Sequence, residues 1–105
     1  MWNPQESGRG FFIEWQGDWA DLAGYMYDDA GNPVWYISVF QTPDTRQFSG
    51  AWWSFANGQS MGGAYRAPTQ TSTNVAPVTV RFSAPDTAIM TLPNGRTTTL
   101  TRQRF

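Results

Sequence analysis

Cysteine, histidine and lysine are all missing from this 105-residue chain. Their absence excludes a disulfide, a thiolate or imidazole catalyst, a lysine Schiff base and a Cys/His metal centre. Carboxylates, hydroxyls and seven arginines are the polar chemistry that remains. Charge is scarce as well. Only 14% of residues are charged, against about 25% in an average domain, so surface ion pairs cannot be the main source of stability. No apolar run approaches the ~18 residues of a membrane-spanning helix, and no basic start followed by an apolar stretch marks a signal peptide in this chain. No segment keeps apolar residues at helical spacing free of glycine, proline or a β-branched run. Neither membrane insertion nor a cofactor is expected.

Rings are what the chain has in abundance: aromatics make up 16% of residues, with six tryptophans. They concentrate between Leu22 and Phe40, where two runs of aromatic and β-branched residues flank Asp28 to Pro33. Asp-Asp-Ala-Gly-Asn supplies side-chain acceptors and a residue free to take positive φ, which marks a β-hairpin. With Asp28 opposite Pro33, Tyr27 faces Val34, Met26 faces Trp35 and Tyr25 faces Tyr36. One face then carries Leu22, Met26, Trp35, Ile37 and Val39, and the other Tyr25, Tyr27, Val34 and Tyr36. Both faces are apolar, so each needs a cover.

Further strands are expected over Phe11 to Gln16, Phe48 to Phe55, Ala64 to Ala67 (short or bent), Val78 to Phe82, Thr87 to Leu92 and Arg96 to Phe105. Pro93-Asn94-Gly95 joins the last two as a tight hairpin. Thr69 to Ala76 reads as a polar connection. Eight short strands with short turns in one domain spanning 1–105 suit a small antiparallel up-and-down barrel, whose closure removes sheet edges. A β-sandwich is the alternative. Up to Asp44 seven acids stand against Arg9, and beyond it six arginines against Asp86, so the two ends are expected to pair, with Glu14 against Arg102 or Arg104. A formal net charge of −1 argues against nucleic acid as a partner.

The strings Trp-Asn-Pro-x-Glu-Ser-Gly-x-Gly (Trp2 to Gly10), Gln16-Gly17, Tyr27-Asp28-x-x-Gly31-x-Pro33-x-Trp35 and Thr101-Arg102-Gln103-x-Phe105 resemble a β-rich module of exported bacterial proteins, often found in tandem. The resemblance implies an exported setting, periplasmic or extracellular, and carries no catalytic residues. In outline the strand pattern is also similar to avidin-like and lipocalin-like barrels, an analogy of architecture alone.

The expected function is noncatalytic binding, in which exposed rings stack on a glycan or a small apolar ligand while charged groups hydrogen-bond its rim. Trp2, Glu6, Arg9, Tyr25, Tyr36 and Trp53 are the candidate ligand-binding residues. Tyr25, Tyr36 and Trp53 are expected to share an accessible face, because Met26, Ile37 and Val39 gain more from burial. The alternative is an assembly module whose aromatic sheet face packs on another copy or a neighbouring domain. Carboxylate pairs such as Glu6 with Glu14, or Asp18 with Asp21, would be needed for glycosidase-like catalysis. Acids in turns are more simply solvated, and no enzyme is expected.

Overall fold

The computed structural model describes residues 1–72 and 75–105. Its nine strands are β1 (Gly10–Gln16), β2 (Trp19–Tyr27), β3 (Pro33–Gln41), β4 (Gln47–Ala51), β5 (Ser54–Ala56), β6 (Thr69–Ser72), β7 (Pro77–Ala84), β8 (Thr87–Thr91) and β9 (Thr97–Thr101). They form a three-stranded sheet β1-β2-β3, a four-stranded sheet β4-β7-β8-β9 and the ribbon β5-β6. The all-β class is as expected. The closed eight-stranded barrel is not: three open sheets replace it, and β1 and β9 lie in different sheets.

The reason is local. The chain approaches closure on one side only through Trp2, which bridges Gly10 and Thr101 and exchanges backbone hydrogen bonds of 2.9 and 2.7 Å with Thr101. A turn then begins at once. Glu6 N donates to Asn3 O at 3.0 Å, and Pro4 has no N–H to continue a ladder. On the other side, the stretch expected as one strand from Phe48 to Phe55 breaks at Trp52-Trp53. Trp52 still bonds to the β7 side, donating to Ala76 O at 2.9 Å, whereas Trp53 exchanges bonds of 3.1 and 2.7 Å with Ile37 of β3. The chain thus changes sheets within two residues, a corner typical of packed open sheets. The strand expected at Ala64 to Ala67 is exposed irregular chain, and β6 forms instead within the stretch read as a polar connection. Thr73 and Asn74 of that connection lie outside the described residues.

The hairpin also differs by one residue. Tyr27 pairs with Pro33, Met26 with Val34, Tyr25 with Trp35 and Gly24 with Tyr36. Asp28 sets this register from within the loop: its backbone N donates to Asn32 O at 2.9 Å, and its carboxylate accepts from Asn32 N at 2.8 Å. Five residues, Asp28 to Asn32, are therefore enclosed. A one-residue slip turns over every side chain of the returning strand, so Val34, Tyr36, Ser38 and Phe40 face inward. Gly31 and Gly95 take φ of 84° and 80° in the two hairpin turns, as their positions require.

The inner faces of the two larger sheets meet in one core. Phe11 and Leu22 come from the first, Phe48, Val78, Val80, Met90 and Leu100 from the second, and Trp52 joins them from the corner. Each aliphatic side chain fully removed from water contributes about 1.5–3 kcal/mol. Trp15 meets Phe48 edge-on, with centroids 5.5 Å apart, and Phe40 lies 4.8 Å from Phe48. Alternation along β1 and β2 then leaves Phe12, Glu14, Asp21 and Tyr25 on the opposite, outer face.

Candidate functional site

The register of the three-stranded sheet decides which rings stand together outside. Tyr25 lies opposite Trp35, and the bridge between Ile37 and Trp53 continues the same antiparallel register, so Phe55 falls opposite Trp35. The rings of Trp35 and Phe55 are parallel to within 7°, centroids 6.1 Å apart. Phe12 closes the group from β1, edge-on to Tyr25 at 5.9 Å. Phe12 is 71% exposed, Tyr25 53% and Trp35 48%, so this is a platform of rings in water. The next row along the strands is Phe12, Ala23, Ile37 and Trp53, and the one after it holds Glu14, Asp21 and Val39. Apolar rings therefore pass into carboxylates along one face.

The opposite side of the hairpin opens into a cleft of about 630 Å³ at one end of the packed sheets. Phe11, Met26, Tyr36, Trp52, Met90 and Leu92 supply its apolar surface, and Arg9, Arg96, Asp29 and Asn94 its polar rim. Tyr36 and Phe11 each place a ring 6.2 Å from Trp52.

The rim is built on Glu6. Its carboxylate accepts from Thr98 Oγ1 at 2.9 Å and from Arg96 Nη2 at 3.5 Å, and it pairs with Arg9 through Arg9 Nη2. Asn3 Nδ2 donates to Thr98 Oγ1 at 3.0 Å. The Thr98 hydroxyl first, with help from the two guanidiniums, holds Glu6 below the usual carboxylate range, against a smaller opposing effect of desolvation. The Asn-Pro-x-Glu-Ser-Gly-Arg segment thereby ties the start of the described chain to β9. Asp28 is also held low, first by the Asn32 amide.

The six sequence candidates separate into distinct places. Arg9 and Tyr36 line the cleft, and Glu6 holds Arg9 at its edge. Trp2 is half-buried in the bridge to β9. Tyr25 stands on the outer platform, and Trp53 is half-buried beside it. Tyr36, expected outside with Tyr25, points inward onto Trp52, and Trp35 takes the outer place because of the register change. Phe12 and Phe55 were missed. The period-two alternation from Phe11 to Gln16 already put Phe12 on the face of Glu14, which marked it as a surface ring. Glu14, expected against Arg102 or Arg104, pairs with neither among the described residues and accepts from Gln16 Nε2 at 3.2 Å. The far-end acid and base meet instead as Glu6 with Arg96.

Among the described residues no group of three acidic or metal-ligating side chains could hold a metal ion. Among the same residues no helix is long and apolar enough to cross a membrane. Comparison with protein-family models, curated proteins and solved structures finds no match to this chain. The molecule is thus defined by its own geometry: an all-β domain with clusters of aromatic side chains at its surface.

Proposed function

We propose that this chain is a noncatalytic binding module whose outer platform of Tyr25, Trp35 and Phe55 stacks on the pyranose rings of an uncharged glycan in an exported setting. The observation that carries the reading is the row itself. Three rings on successive strands span two interstrand spacings, about 10 Å, and offer apolar surface over the length of linked sugars. Glu14 and Asp21, on the same face, are acceptors for sugar hydroxyls and repel an anionic chain. Aromatic faces edged by a few polar groups are the usual means of orienting such ligands.

Isothermal titration with cellohexaose, xylohexaose and chitohexaose tests it. One of these should bind, and Trp35→Ala should weaken that binding at least tenfold while the melting temperature stays within a few degrees. The exposure of Phe12 and Tyr27, at 71% and 60%, favours a second reading, in which the face packs against another copy. Sedimentation velocity separates the two. A dimer that Trp35→Ala turns into a folded monomer, with no glycan bound by either form, supports assembly.

A further inference from the structure

We infer that the cleft between the two sheets is a second binding site, separate from the outer platform, and that it takes a small molecule with an apolar body and a single carboxylate. Its volume of about 630 Å³ lies within the range of small-molecule sites, about 300–1,000 Å³. The wall chemistry is divided as such a ligand requires. Tyr36 and Met26, both half-buried, supply the reachable ring and thioether surface over a buried floor of Trp52 and Met90, and the unbranched methionine adapts to the shape of an apolar guest.

The choice of an anionic head follows from the arginines. Arg9 and Arg96 share one carboxylate, Glu6, so this trio keeps a net positive charge. Each guanidinium carries five N–H donors in a rigid fork. Among the described residues only the Nη2 group of each is engaged by a side chain, in both cases Glu6. Each Nη2 has a second N–H, which with the unengaged Nε or Nη1 beside it leaves one fork of each guanidinium open to grip a carboxylate in the two-pronged manner that arginine favours. Asp29 also lines the cleft and bears the opposite charge. Asp29 is exposed and forms no ion pair with either arginine among the described residues. Although the four groups sum to zero formal charge, the open donors of Arg9 and Arg96 (27% and 66% exposed) at the apolar wall are what favour an anionic head.

Octanoate, 1-octanol and octylammonium are the probes, titrated into the intact chain with calorimetry and tryptophan fluorescence as readouts. Octanoate is expected to bind one-to-one and at least tenfold more tightly than either of the others. Arg96→Gln, at a side chain that is 66% exposed and whose loss leaves the core untouched, should reduce octanoate binding about tenfold and leave octanol binding as it was. Met26→Trp should fill the cleft and abolish both, and Trp35→Ala on the outer platform should alter neither. Equal affinity for octanoate and octanol, no octanoate binding at millimolar concentration, or octanoate binding unchanged in Arg96→Gln would each overturn the inference. Loss of octanoate binding in Trp35→Ala would also do so, by placing the ligand on the outer face. A failure of the glycan titrations would leave these outcomes untouched, since the two sites share no residue.

Discussion

Replacing Gly50 by alanine adds one methyl group where the two larger sheets approach closely. Gly50 lies on β4, and a Cβ built there would sit 2.7 Å from Phe40 Cδ1, 2.7 Å from Ser38 Oγ and 2.9 Å from Phe40 Cε1. The Phe40 ring cannot withdraw freely, because Phe48 backs it at 4.8 Å, and Ser38 is 1% exposed. Since carbon atoms pack at about 3.5–4.0 Å, the sheets must part locally by roughly 1 Å, enough to forfeit a quarter to a half of the attraction across the seam. Overpacking of this kind costs about 1–3 kcal/mol, and the lower entropy of the unfolded alanine chain offsets about 0.4–1 kcal/mol of it. A net loss of about 1 kcal/mol lowers the melting temperature by about 4–8 °C in a domain of this size. Near-ultraviolet circular dichroism, which reports the packed rings, is the assay. Gly62→Ala is the control: nothing lies within 4 Å of its Cβ, and its melting temperature should not fall below the parent's. Two variants that melt together would refute the close approach of the sheets.

Gly31→Val and Gly95→Val should each destabilise the fold by about 1 kcal/mol or more, because valine resists positive φ, and urea midpoints measure it. Leu22→Ala and Leu100→Ala, both essentially fully buried, should cost about 2–5 kcal/mol each. An unfolding midpoint close to the parent's would place either residue outside the core. Glu6 titrates below its ordinary range in the folded chain, so its contribution to stability is complete above the unfolded value of about 4.3. It is lost as pH falls through the folded value. Urea midpoints between pH 6 and 3 should therefore fall less steeply for Glu6→Gln than for the parent, and parallel slopes would show that the carboxylate is not coupled to folding.

Much of the strand pattern was legible because it rests on local chemistry. Asn94-Gly95 turns where it was expected to, and Val78 to Phe82 alternates as a strand with one wet face. The register of the main hairpin was not legible in the same way. Loops of four and of five residues suit Asp28 to Pro33 equally well by composition, and the choice is made by two hydrogen bonds between Asp28 and Asn32 that depend on loop geometry. That single residue moved Tyr36 to the cleft and Trp35 to the surface. Closure was misjudged because it depends on partners remote in sequence. Phe48 to Phe55 reads as one aromatic strand, and nothing within it signals that Trp52 and Trp53 bond to different sheets. Arg96 and Glu6 show the same limit: the opposite charges of the two halves are plain in the sequence, but which acid meets which base is decided by the turn at Asn3-Pro4.

The joints at Trp2–Thr101 and Ile37–Trp53 also set how the molecule can come apart. Ladders several residues long hold each sheet internally, whereas these joints are pairs of hydrogen bonds at one residue each. A sub-global opening that swings one sheet away from the other must break them together and can leave both ladders intact. Native-state hydrogen exchange would reveal it as a shared opening energy for the amides of Trp2, Ile37, Trp53 and Thr101, lower than that of amides inside β2 and β7. Such a motion would widen the cleft without disturbing the outer row of rings, so a guest held between the sheets would act as a clasp and slow the exchange of those four amides.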